Sequence, residues 1–581
     1  MDDLAELIAV ARGERPADLI LRNAQVLNLF NGALEPTTVA IFGGRIAGLG
    51  DNYSGRSEID LKGAVLIPGF IDAHVHIEST MLRPEELAKL LLSRGTTTII
   101  AEPHEIANVA GKRGIEYFVE AAKRLPIDIF FTVPTCVPST SRALETSAGV
   151  VEFDDIIELS KRPEFVALGE VMNYPKLIKG DSSILKKISA SRGKPIDGHC
   201  PGVTGMELNA YLAAGPSTDH EATEVREAKE KIGRGAALII RQSSISRDFD
   251  ELIPLVNYIT ARRCMLATDD RTAVDLAEEG GIEMLVRMAI EREVDPRLAV
   301  QMVTLNPAEH YGLRDRGSIS PGKVADIVIV EDLTSVYIRM VFKDGKPMYS
   351  EGHVFAEIEL IEPPEFLLNS IRIAGVSADD FEMRGAEGDY LVIVYTPGSM
   401  TTDQRVERMV PVDGKLVADV SKDILRISVV NRYAKEAMAS HGFVAGFGLK
   451  RGALASSVSH DAHNIVAVGA DETSMATAVN AVIKGGGGMA AALGDAVLAE
   501  MPLKIAGLMS LEPFANVIEQ ARSLREGAAY LGTDLEDPFA ALSFMTLAVV
   551  PHLKITDKGL VDVNRGELVN AVVGPKLGKA A

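Results

Sequence analysis

Between residues 64 and 270, short apolar runs alternate with helical patterns, and this alternation constrains the fold more than any other feature. Eight runs read as strands: 64–74, 96–101, 127–133, 165–171, 195–199, 217–220, 237–241 and 264–269. Helical patterns at 84–93, 114–124, 205–213 and 280–291 fall between or beyond them. Eight β/α units in about 250 residues match a closed parallel (β/α)8 barrel, a TIM-like α/β fold whose chemistry sits at the C-terminal ends of its strands.

The polar residues fall at those ends. His74 and His76 close the first strand, His104 and Glu105 follow the second, and Glu170 ends the fourth. His199, His220 and Asp269-Asp270 end the fifth, sixth and eighth. In extended chain, residues i and i+2 point to one side, so His74 and His76 can present both imidazoles to one metal ion. His-x-His alone is a weak signal, but five of the eleven histidines sit at strand ends of this one barrel. Six donors suit two divalent ions per chain: His74, His76 and Asp269 on one, His199 and His220 on the other, Glu170 between. A hydroxide shared by two ions is a strong nucleophile at neutral pH, and Asp269 is placed to take its proton and hand it to a leaving group. For Glu170 the plain alternative is a buried carboxylate paired to a histidine. His104 and Glu105 read as catalytic or substrate-binding groups, with His104 also suited to support a ligand from behind.

The flanks differ from the barrel. A short helix at 4–12 precedes strands at 18–23, 38–42 and 45–49, the last two joined by Gly43-Gly44, a hairpin signature. Further strands at 317–330 and 335–342 follow the barrel. The expected organisation is a β-sandwich domain split into 1–65 and 313–362, the barrel inserted at 66–312, and a C-terminal α+β domain at 363–581. The last region holds strands at 388–395 and 424–430 and helical stretches at 475–483 and 538–548. Its Ser459-His460-Asp461-Ala462-His463-Asn464 motif fits either a cation or a hydrogen-bonded, substrate-covering loop. The Gly485–Gly488 run has no following Lys-Ser or Lys-Thr, so it reads as a flexible turn and not a nucleotide loop. A net charge of −21 argues against nucleic acid or an anionic membrane as partner. Three cysteines, no basic-apolar leader and no apolar run of about 18 residues point to a cytoplasmic protein.

These residues carry a family resemblance. Pro68-Gly69-Phe70-Ile71-Asp72-Ala73-His74-Val75-His76, the split β unit and the return at Pro321-Gly322-Lys323-Val324-Ala325-Asp326 resemble the amidohydrolase superfamily. More narrowly, Pro103-His104-Glu105-Ile106-Ala107-Asn108, Gly169-Glu170-Val171-Met172-Asn173, Asp197-Gly198-His199-Cys200-Pro201-Gly202, Ala267-Thr268-Asp269-Asp270 and the 459–464 motif resemble the bacterial and archaeal adenine deaminase family, across essentially the whole chain. The resemblance implies hydrolysis of adenine to hypoxanthine and ammonia in purine salvage at a binuclear manganese or iron site. Mixed imidazole and carboxylate ligation accommodates zinc as well.

Related hydantoinase- and dihydroorotase-like chains bridge their metals with a carboxylated lysine at strand four. Here that strand ends in Glu170, with no lysine before Lys176. Adenosine- and cytosine-deaminase-like chains carry an acid soon after the strand-five histidine, whereas His199 is followed by Cys200-Pro201-Gly202. Proton transfer therefore falls to Asp269, chosen over Asp270 by motif position. Met172, Asn173, Ser243 and Ser244 are candidates to line a purine pocket, each equally suited to an ordinary loop role. The alternatives are another binuclear cyclic amidohydrolase or a non-catalytic scaffold. A homodimer or higher homo-oligomer is expected.

Overall fold

The computed structural model describes residues 2–573, apart from Arg192. Eight parallel strands form the central element: β1 (Phe70–Val75), β2 (Thr96–Ala101), β3 (Asp128–Val133), β4 (Phe165–Val171), β5 (Ile196–Gly198), β6 (Thr218–Asp219), β7 (Ala237–Arg241) and β8 (Cys264–Ala267). They pair as a five-stranded and a three-stranded sheet. Both seams are bonded, Asp269 N–H donating to His74 O at 3.0 Å and Ser217 N–H to Ile196 O at 2.8 Å, so the strands run round one TIM-like barrel. Ile71, Ile100, Ile239 and Met265 fill its interior, and Tyr311 packs with them. The Tyr311 hydroxyl donates to Ala73 O at 3.1 Å and stands 3.1 Å from Asp197 Oδ2. The alternating runs are buried on both faces, as a parallel barrel demands.

The apolar run at 64–74 is two strands, not one. Val65–Pro68 belongs to an outer nine-stranded sheet, running parallel to Ala17–Leu27 and antiparallel to Ile327–Val330. Periodicity cannot see this break, because the backbone stays extended through the Pro68-Gly69 step while its hydrogen bonds change sheet. Only glycine fits there: a Cβ on Gly69 would lie 2.2 Å from Thr97 Oγ1. Strands from both sides of the barrel thus share the outer sheet, and its hairpin turns at Gly43-Gly44 with φ of +55° and +75°.

Beyond the outer sheet, an eight-stranded sheet spans 388–502, with the helix Glu472–Lys484 packed on it through Met475 and Val479. Helices Phe514–Leu531 and Pro538–Phe544 and a small three-stranded sheet complete the described chain. The glycine run after Glu472–Lys484 is a packed turn and not a loose one, since a Cβ on Gly488 would lie 2.0 Å from Met501 O. This C-terminal part sits on the barrel. Ser510 N–H donates to Met81 O at 2.8 Å, Phe514 N–H to Glu86 Oε2 at 3.1 Å, and Asn464 Nδ2 to Thr146 O at 2.9 Å. No described helix is long and apolar enough to cross a membrane.

Candidate metal centre

The barrel strands end in side chains that converge. β1 and the residue after it deliver His74 and His76, whose Nε2 atoms stand 3.2 Å apart. His76 Nδ1 lies 3.2 Å from Glu102 O, which places its proton on that side and leaves Nε2 free as a lone-pair donor. β4 presents Glu170 between two histidine pairs. Its Oε1 lies 3.0 Å from His74 Nε2 and 3.3 Å from His76 Nε2, and its Oε2 lies 2.7 Å from His199 Nδ1 and 3.7 Å from His220 Nε2. Asp269 follows β8 in a left-handed conformation, φ +55°, which turns its Oδ1 to 3.3 Å from His76 Nε2. Asp270 accepts from Ser79 Oγ and lines the cavity above the cluster.

All six side chains the sequence assigned to metal therefore meet in one buried cluster. His74, His76 and Asp269 form one group whose ligand atoms lie within 4.8 Å of one another, and His74, Glu170 and His220 form another. The donor set fits divalent ions: imidazole lone pairs and carboxylate oxygens converge, and Glu170 Oε1 has no hydrogen-bond partner although it is buried. Burial pushes the Glu170 carboxyl up, but His220, His199, His74 and His76 outweigh it and hold it well below the usual range. Asp269 is likewise raised by burial and then held low, first by Arg241.

Arg241 was not among the expected site residues. It ends β7, fully buried, with Nη1 2.6 Å from Asp269 Oδ2 and in contact with Glu221. Glu221 also stands 3.5 Å from His220 Nε2. The only sequence signal was a charge ending the apolar run Ala237-Leu238-Ile239-Ile240. His104 lies beside His76, ring centroids 4.9 Å apart, and its Nε2 is 3.3 Å from Glu105 Oε1.

Above the cluster lies a cavity. Met172 lines it, together with Met400, Phe544, Leu547, Val549 and Val550 from the C-terminal part. These apolar side chains face a floor of ionisable ones, the metal-ligand set other than His74 together with Glu105, Glu221, Arg241 and His460. Ser244 lines an adjoining cavity that shares Asp270, His460 and Phe544. Ser243 caps its own loop, its hydroxyl accepting from Ser246 N–H at 2.8 Å, and Asn173 lines neither cavity.

Comparison with known proteins adds two family matches. Residues 65–348 match the amidohydrolase family, and residues 399–567 match the adenine deaminase C-terminal domain. Three full-length relatives are named adenine deaminase. The protein from Dehalococcoides mccartyi is 42% identical over 98% of this chain and 99% of its own length. That from Kosmotoga olearia is 43% identical over 98% and 99%, and that from Desulfatibacillum aliphaticivorans 43% over 96% and 98%.

Proposed function

The chain belongs to the adenine deaminase family, and we propose that it hydrolyses adenine to hypoxanthine and ammonia, in purine salvage, at the cluster on the barrel mouth. One observation carries the site assignment: Glu170 faces one histidine pair with each oxygen, the disposition of a carboxylate shared by two ions. His74, His76 and Asp269 would hold one divalent ion, His199 and His220 the other, and Glu170 both. Such a pair, when bound, would lower the pKa of a water and make it a nucleophile for C6 of the purine. Manganese is our choice, with iron and zinc suited to the same donors.

The protein's own groups then move protons. Water adds to C6, and Asp269 takes the proton it sheds. Glu105, with His104 beside it, delivers a proton to ring N1. Asp269 passes its proton to the amine, which leaves as ammonia. The C6 hydroxyl returns a proton through Glu105 as the carbonyl forms, so adenine and water become hypoxanthine and ammonia with every group restored. Arg241 keeps Asp269 ionised and ready to accept.

We read the domain layout as a split β unit around the barrel followed by the C-terminal α+β domain. The enzyme is read as a cytoplasmic homodimer or larger homo-oligomer; its net charge of −21 supports only the absence of nucleic-acid or anionic-membrane partners. Ammonia release from adenine by the manganese-loaded enzyme tests the activity. Turnover of hydantoin or dihydroorotate with adenine inert would overturn it in favour of another cyclic amidohydrolase. Inertness toward all three, unchanged by chelation, would leave a scaffold.

A further inference from the structure

Glu105 belongs to the barrel, yet two of its closest partners come from the far end of the chain. His460 Nδ1 donates to Glu105 Oε1 at 2.6 Å, across 355 residues of sequence. His463 Nε2 contacts Glu105 Oε2. Ser459 N–H donates to His463 Nδ1 at 3.3 Å, so that nitrogen is the acceptor and the ring proton sits on Nε2, the atom facing Glu105.

Both histidines are locked. The His460 ring stacks on Phe544, centroids 4.7 Å apart and planes at 9°. The His460 backbone N–H donates to Ser543 O at 3.1 Å, and its backbone carbonyl accepts from Thr546 Oγ1 at 2.9 Å. His463 stands at φ +53°, a left-handed conformation that a non-glycine residue keeps only where its surroundings impose it. Burial lowers the His460 imidazole's affinity for a proton, but Glu105 outweighs it and raises the group to about 9. Burial raises the Glu105 carboxyl, and His460 and His463 bring it well below the ordinary range.

We propose that His460 and His463 are positioning residues for Glu105, so that the C-terminal domain completes the active site of the barrel. The pair holds the carboxylate ionised and aimed into the cavity, and His460 supplies the proton that Glu105 passes to N1. When the C6 hydroxyl ionises, the proton returns to His460 by the same path, leaving no net change. This rests on the deaminase reading given above.

The test uses the full-length, manganese-loaded enzyme and the variants His460→Ala, His460→Gln, Glu105→Gln and His460→Ala/Glu105→Gln. For His460→Ala, kcat for adenine should fall at least about 100-fold, as for loss of an acid–base group, with KM and metal content held. Free imidazole should restore part of the His460→Ala rate but none of the Glu105→Gln rate. His460→Gln, which keeps an N–H donor, should melt near wild type and keep its metal while remaining slow. The double variant should be no slower than Glu105→Gln alone, because the two groups act as a unit. Additive losses, absence of imidazole rescue, or metal loss in His460→Gln would overturn the proposal. Wild-type enzyme inert toward adenine in the same assay would overturn the deaminase reading instead.

Discussion

Replacing Glu170 by Gln separates a shared metal ligand from a carboxylate that merely pairs with a histidine. The change keeps size and shape but removes one negative charge from a side chain that is 3% exposed, with imidazole nitrogens at 2.7–3.7 Å on both oxygens. A contact to a charged group contributes about 1.5–3 kcal/mol, so losing one on each side amounts to about 3–6 kcal/mol. At 1.36 kcal/mol per decade, metal retention should fall by about 10²- to 10⁴-fold. The strand itself should survive, because Thr135 Oγ1 donates to the Glu170 backbone carbonyl at 2.5 Å and not to the side chain. Metal content by plasma mass spectrometry after gel filtration against a chelator should show both ions gone, with a near-normal melting curve by circular dichroism and no ammonia release from adenine. Retention of two ions per chain would refute the shared-ligand assignment.

Three further changes probe what supports the site. Arg241→Met would leave Asp269 and Glu221 buried without their cation, at a cost of about 3–5 kcal/mol; melting temperature and kcat should both fall, and neither changing would reject the brace. Lys231 Nζ reaches Asp219 at 2.7 Å, Glu227 at 2.6 Å and Cys200 O at 2.8 Å, tying together the strand ends that carry His199 and His220. Lys231→Met should therefore cost about 3–5 kcal/mol in urea unfolding, and a loss below about 1 kcal/mol would count against it. His310, which stands 4.0 Å from Asp197, has its imidazole lowered to about 4 by burial and by Arg263. Its contribution to stability is thus complete above the unfolded value near 6.5 and lost as pH falls toward 4, about 3 kcal/mol in all. Melting temperatures of His310→Gln should decline less steeply across that window, and an unchanged slope would exclude His310 as the cause.

The barrel and most of its site are legible in the sequence because strand ends interrupt apolar runs. His74, His76, Glu170, His199 and His220 stand out where a run such as Phe165-Val166-Ala167-Leu168 would otherwise continue in apolar residues. Asp269 and Asp270 are adjacent and chemically equal, and only their partners in the fold separate them, His76 and Arg241 at Asp269 and Ser79 at Asp270. Arg241 interrupts its run as the histidines do, but a charge beside a loop is common, so the residue carries no signal until its carboxylate partners are in place. The partner of the 459–464 motif was out of reach for another reason: local spacing does not say which distant carboxylate a histidine will meet. The Pro68-Gly69 step was read as continuous strand because sheet membership is a matter of hydrogen-bond partners, not of side-chain period.

That step also bears on how the chain folds. Val65–Pro68 pairs with Ile327–Val330, closing a loop of about 260 residues that contains the whole barrel. In an unfolded chain, bringing those ends together costs about 5 kcal/mol beyond the fixed part of loop closure, more than four strand residues recover early. Once the barrel has collapsed the ends are already neighbours and most of that cost has been met. The seam between Val65–Pro68 and Ile327–Val330 should therefore zip last, and protection of the Val328 amide would report whole-barrel assembly, whereas the Ile329 amide faces the neighbouring strand Ile338–Lys343 and reports local pairing.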